Sequence, residues 1–169
     1  MKHAPPAAAE FESLAHLYQR PGFLLRRAHQ ISVAIFEKEC AEVELTPAQY
    51  GVLNVLANSH GIDQSALSRA LGLDRVTVLR VAKGLESRGL ISRTVAQEDG
   101  RRLALALTDS GEAVFRSAQA PVKNAFKRLT SALDAQELEN LNRLLNKLCT
   151  SLASEARAEM TPPPGMLKD

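Results

Sequence analysis

Cations dominate the residues of this sequence that could do chemistry, and they are unevenly spread. Between positions 69 and 102 stand Arg69, Arg75, Arg80, Lys83, Arg88, Arg93, Arg101 and Arg102, against Asp74, Glu86, Glu98 and Asp99. That stretch therefore carries +4 in a chain whose net charge is +2, which leaves −2 for the remainder. A basic segment on a slightly acidic scaffold is the footprint expected of a surface that meets a polyanion. The same charges would also suit an ordinary solvated face. What separates the two readings is the set of elements that must present them.

Thr46-Pro47-Ala48-Gln49 is a helix start. The Thr hydroxyl can accept from a backbone N–H, Pro fits the first helical position, and Gln49 can reach back to close a capping box. The helix carries Tyr50, Leu53 and Leu56 and is expected to end near Ser59-His60-Gly61. Asp63 then caps a short helix with Leu67, Ala70 and Leu71. Gly72-Leu73 makes a tight turn, and Asp74 caps a further helix that stops at Gly89. Segments 90–95 and 102–107 read as strands, with Glu98-Asp99-Gly100 as the tip of a hairpin. Two short capped helices joined at a glycine and followed by a basic hairpin make a winged helix-turn-helix.

The second helix of that pair has two faces. Val78, Ala82 and Leu85, with Val81 beside them, form the stripe to be buried. Arg75, Val76, Thr77, Arg80, Lys83 and Ser87 lie away from it. A major groove offers guanine acceptors, thymine methyls and phosphates along its rims. Arg80 suits guanine, Val76 or Thr77 suits a thymine methyl, and Lys83 suits phosphate. A merely solvated face would account for Lys83 and Ser87, but not for an outward Val76. In the hairpin, Arg101 and Arg102 stand where they can enter a narrow minor groove of negative potential. Asp99 would be repelled by DNA, so its expected role is to orient a neighbouring Arg.

Around this unit the chain is helical. Pro21 opens a helix to about Ala41, with Leu24, Ala28, Ile31 and Ile35 at helical spacing and Leu25, Ser32 and Phe36 widening the stripe. A long helix follows from about Ser110 toward Leu129, and Pro121 is expected to kink it. Asp134-Ala135-Gln136-Glu137 caps a last helix bearing Leu138, Leu141, Leu145, Leu148 and Leu152, a face too apolar to leave in water. The fold expected is mainly α with a small β-wing. It divides into a disordered tail at 1–10, an N-terminal dimerisation region at 11–45 and the winged domain at 46–108. C-terminal dimerisation helices at 109–159 and a second tail at 160–169 complete it.

Several classes are set aside by the same residues. Hydrophobic residues make up 45% and charged residues 24% of the 169, an ordinary globular balance. No apolar run is long enough to span a membrane, and the N-terminus lacks the apolar stretch of a signal peptide, so a cytoplasmic location is expected. Cys40 and Cys149 show no paired spacing, and His3, His16, His29 and His60 show no ligand spacing, so neither metal nor cofactor is expected. No nucleophile motif, phosphate loop or paired carboxylate site points to an enzyme.

From Thr46 to Gly111 the sequence resembles the MarR family of bacterial regulators. The matching segments are TPAQYGVL (46–53), LSRALGLDRVTVLRVAKGLESRGLISR (67–93), EDGRR (98–102) and LTDSG (107–111). The resemblance implies a homodimer whose terminal helices interlock, each subunit reading half of a pseudopalindrome in double-stranded DNA. It makes 74–88 the recognition helix and Arg101 the minor-groove residue. Val76 and Leu79 depart from it, since many members carry Ser or Thr there.

The resemblance also implies a small aromatic carboxylate as effector, bound between the dimer helices and the winged domain. Arg20, Arg27, His29 and Ser32 on the first long helix and Tyr50 on the next are the candidates to hold it. The 20–40 segment is similar to repressors of nicotinate catabolism that sense a hydroxylated nicotinate. Two alternatives stand beside this reading. One is a redox-sensing repressor using Cys40, although Glu39 and Glu42 disfavour its thiolate. The other is a helical dimeric adaptor that keeps the fold without binding DNA.

Overall fold

A computed structural model describes residues 14–59, 61–95 and 103–161. Helices α1 (Leu14–Gln19) and α2 (Pro21–Glu39) lead through a 3-10 turn at Ala41–Val43 to α3 (Pro47–Asn58). Strand β1 (Ile62–Asp63) precedes α4 (Gln64–Leu71) and α5 (Arg75–Ser87). Strands β2 (Ile91–Val95) and β3 (Leu103–Leu107) follow, then α6 (Asp109–Leu129), α7 (Ala135–Ser151) and a closing 3-10 turn at Ala153–Glu155.

Each helix of the head starts on a side chain that satisfies a backbone donor the helix itself leaves open. Thr46 Oγ1 accepts the Gln49 N–H at 3.3 Å, and Gln49 Oε1 accepts the Thr46 N–H at 2.9 Å. Asp63 accepts from Ala66 at 2.7 Å, and Asp74 accepts from Thr77 at 2.9 Å. α4 ends where Gly72 turns left-handed at φ 60, a conformation open to glycine because it has no Cβ. The expected caps and turn are all present.

The core gathers Val52, Leu53 and Leu56 of α3, Leu67 of α4, and Val78, Ala82 and Leu85 of α5. Leu90, Ile91 and Leu105 cover it from the wing, and Ala118 of α6 closes it. The one buried polar side chain among the described residues, Ser68, donates its hydroxyl to the Leu73 carbonyl across the turn. The sheet runs antiparallel in the order β1-β3-β2, with Arg93 opposite Leu105 and Ile62 opposite Leu105 on the other side. Strand β1 is absent from the sequence reading, because two residues carry no period of their own. The β3 edge recruits them.

At the base of the wing the chain is pinned to α6. Thr108 caps that helix by accepting from the Gly111 N–H at 3.0 Å, and its hydroxyl donates to the Gly89 carbonyl at 2.6 Å. A Cβ on Gly111 would lie 1.9 Å from the Leu90 carbonyl oxygen, so only glycine fits this approach. α6 continues through Pro121 to Leu129 and lies against α2, where Arg128 pairs with Glu39 at 2.9 Å.

α7 differs from every helix of the head. Asp134 and Glu137 close a capping box on it, yet none of its residues is buried, and Leu141, Leu144 and Leu148 are exposed. α2 also has no buried residue, and exposes Leu24, Leu25 and Ile31. Of the segment 160–169 expected as a tail, Met160 lies against Gly72 and the Thr161 N–H donates to the Arg69 carbonyl at 2.9 Å.

Candidate nucleic-acid interface

α5 owes its orientation to its apolar stripe. With Val78, Ala82 and Leu85 fully buried, the residues on the opposite side must face out. Val76, Arg80 and Lys83 fall at positions i, i+4 and i+7 on that side and are exposed, with Arg75 exposed at the first turn. Val76 is 76% exposed, the most open large hydrophobic side chain among the described residues. Arg69, at the end of α4, is exposed nearby in sequence. The outward stripe read from spacing is therefore present, and it is cationic around an apolar contact.

Thr77 is half-buried and its polar atoms are spent on the helix cap. Its N–H and its hydroxyl both donate to the Asp74 carboxylate, the hydroxyl at 2.7 Å. Those two bonds, the hydroxyl first, hold the Asp74 carboxyl below its ordinary range, because both favour the ionised form. Ser87 likewise spends its hydroxyl on the Gly84 carbonyl.

Two cations of the basic segment are engaged by other groups of the chain. Arg93, on β2, sets its Nε 3.0 Å from Glu86 Oε2 with its side chain only 19% exposed. Its Nε and Nη2 find no aligned acceptor, so the contact is one of charge rather than a hydrogen bond. Arg88 turns its guanidinium to backbone carbonyls at Val43 and Glu44. The charge total from the sequence thus overstates what this face offers a polyanion. Asp99, Arg101 and Arg102 lie outside the described residues.

The effector candidates do not converge within one chain. Tyr50 is half-buried between Phe36 and Phe115, with ring centroids 5.9 and 5.8 Å away, and its hydroxyl lies 3.5 Å from Gln119 Oε1. Ser32 and Phe36 line a small pocket of about 120 Å³ with Val122, Ala125, Phe126 and Leu129 of α6. Arg27 instead lines an open groove of about 300 Å³ on a different face of α2, with Ile31, Ile35, Lys38 and Arg128. His29 is exposed, and Arg20 stands at the N-cap position of α2. Phe115 and Gln119 escaped the sequence reading because nothing local ties them to Tyr50.

Cys40 is 1% exposed, and burial followed by the Glu39 charge pushes its thiol pKa up. Among the described residues no three His, Cys, Asp or Glu side chains cluster as a metal site requires. None of the described helices is long and apolar enough to cross a membrane.

The arrangement of α3, α4, α5 and the β2–β3 hairpin is that of a winged helix-turn-helix protein. Residues 44–102 match the MarR family. A Thauera aromatica protein named as a transcriptional regulator of the hcr operon is 32% identical over 146 residues, 85% of this chain and 88% of that one. The repressor CouR, solved bound to a 23-mer DNA duplex, superposes with a TM-score of 0.72 at 33% identity, covering 84% of this chain and 99% of the other. BpsR of Bordetella bronchiseptica, whose DNA binding is regulated by 6-hydroxynicotinic acid, superposes with a TM-score of 0.75 at 28% identity over 79% of this chain and 95% of its own. The chain belongs to the MarR family.

Proposed function

We propose that this protein is a homodimeric transcriptional repressor that binds a pseudopalindromic operator and is released from it by a small aromatic acid. Val76 carries the reading. An apolar side chain held open at the head of α5, with Arg75 beside it and Arg80 and Lys83 on its own stripe, suits a thymine methyl bordered by guanine and phosphate. Arg80 pairs with a guanine edge, and Arg75 and Lys83 meet phosphates. Thr77 contributes its methyl only, since its hydroxyl stays on Asp74. Arg101 and Arg102 enter the minor groove from the wing, with Asp99 orienting them.

The dimer is supported by α2 and α7, whose leucine faces the described residues of one chain leave exposed. For the effector, support comes from the aromatic neighbours of Tyr50 and the adjoining pocket at Ser32. The effector responses of family members such as BpsR make a hydroxynicotinate the first choice. Arg20, Arg27 and His29 are the candidates to meet its carboxylate, because an unpaired buried carboxylate costs several kcal/mol. Release requires the acid to favour the DNA-free form, typically by about 1–3 kcal/mol. Redox control through Cys40 is the weaker reading, since a buried thiol with a raised pKa is a poor thiolate.

The test is selection of duplexes from a random pool by the purified protein, followed by titration of the bound duplex with 6-hydroxynicotinate, salicylate and benzoate. Enrichment of a two-fold symmetric sequence, and its release by one of the acids, is the expected result. Failure to enrich any sequence would overturn the DNA-binding reading in favour of a helical adaptor. Enrichment without release would remove the aromatic effector alone.

A further inference from the structure

Arg88 directly follows α5, inside the basic segment, and although the residue is exposed its guanidinium is engaged by backbone carbonyls. Its Nη1 donates to the Glu44 carbonyl at 2.7 Å and its Nη2 to the Val43 carbonyl at 3.3 Å, with the Glu44 carboxylate 4.0 Å from Nη2. The side chain is 32% exposed while that of Glu44 is 82% exposed, so the main-chain carbonyls, not the ion pair, are the anchored partners. Those carbonyls end the 3-10 turn at Ala41–Val43, where a helix leaves acceptors open and carries partial negative charge. Glu44 itself is left-handed at φ 51, the sole non-glycine residue so placed among those described.

We infer that Arg88 is a positioning residue: it ties the C-terminal end of the recognition helix to the joint between α2 and α3, and so sets how α5 enters the groove. The inference rests on the DNA-binding reading above. The buried stripe of α5 fixes which face points out. On the wing side the Gly89 carbonyl, one residue beyond Arg88, is already held by the Thr108 hydroxyl. A planar guanidinium bridging two carbonyls 44 and 45 residues away in sequence adds a second tether at the helix end, to the segment that leads into α3. Arg88 thereby joins the reading helix to the 3-10 turn that follows α2, the long helix that bears the Ser32 pocket. Lysine offers a charge but no fork, so it cannot make the same bridge.

The experiment uses the full chain and the duplex that wild type selects from a random pool. Affinities for that duplex and for a scrambled duplex are measured over a range of salt concentrations for wild type, Arg88→Lys, Arg88→Gln and Glu44→Gly, with folding checked by circular dichroism. Arg88→Lys is expected to lower the selected-to-scrambled ratio about tenfold, as loss of charge-assisted hydrogen bonds implies, with the salt slope unchanged. Glu44→Gly keeps the carbonyl, suits the left-handed backbone, and should leave the ratio as in wild type. A phosphate contact would instead survive in Arg88→Lys and lower the slope by about one in Arg88→Gln, which overturns the inference. An unchanged ratio in Arg88→Lys, or both affinities falling together with the folded fraction, overturns it equally. Should Arg88→Lys not fold, the ratio and slope in Arg88→Gln decide. If wild type selects no duplex, the DNA-binding reading fails and takes this inference with it.

Discussion

Leu85 on α5 and Leu148 on α7 come from the same kind of helix, capped by an aspartate and striped with apolar residues every third or fourth position. Leu85 is fully buried and Leu148 is 45% exposed. The head closes around its stripe with material from its own chain: α3, α4, the wing and α6 all reach it. Among the described residues, none of α7 is buried by such neighbours. The difference shows that amphipathic pattern commits a helix to being covered without saying by what. In the head the cover is intramolecular, whereas for α7 the proposed dimer would supply it from a second copy.

The comparison can be broken most decisively by removing α7. Deleting residues 135–169 should abolish the dimer and leave aggregated or unfolded chain, since burial of the leucine face is worth roughly 25 cal/mol per Å². Size-exclusion chromatography with light scattering reads the outcome, and a soluble monomer that still selects DNA would sink it. Single leucines sharpen the contrast. Leu85→Ala should cost about 2–5 kcal/mol in urea unfolding, by the same amount at every protein concentration. Leu148→Ala should instead lower the thermal midpoint most in dilute samples and little in concentrated ones, as a subunit interface requires.

On the reading face the effect is smaller and of another kind. Arg80→Ala should reduce discrimination between selected and scrambled duplexes by about 1–3 kcal/mol while thermal stability holds. A ratio equal to wild type would remove Arg80 from base readout. Arg101→Ala should weaken both duplexes together and lower the salt slope by about one. The smallest effect belongs to the cap of α5. Because Thr77 depresses the Asp74 pKa, the ionised carboxylate contributes stability above the unfolded value, and that contribution is lost as pH falls through the folded one. Acid unfolding followed by circular dichroism should therefore start with a shallower pH dependence in Asp74→Asn, whose side chain still caps but does not titrate.

Much of this molecule was legible in its residues because much of it is local. A Thr-Pro-x-Gln, an Asp three residues before a donor, or a glycine at a left-handed turn acts within one helical turn. The starts of α3, α4, α5 and α7 therefore needed nothing distant. The outward stripe of α5 followed from the inward one by helical geometry alone. The sequence determined these elements, the faces they present and the family they belong to. What it left open depends on residues that meet across the chain. Arg88 and Arg93 counted as surface cations until Val43, Glu44 and Glu86 claimed them. Two residues at Ile62–Asp63 became a strand only because β3 offered an edge. Tyr50 acquired its aromatic neighbours only when α2, α3 and α6 packed together. A charge or a ring is specified by its residue type, but its partner is specified by position in space, and only tertiary packing sets that.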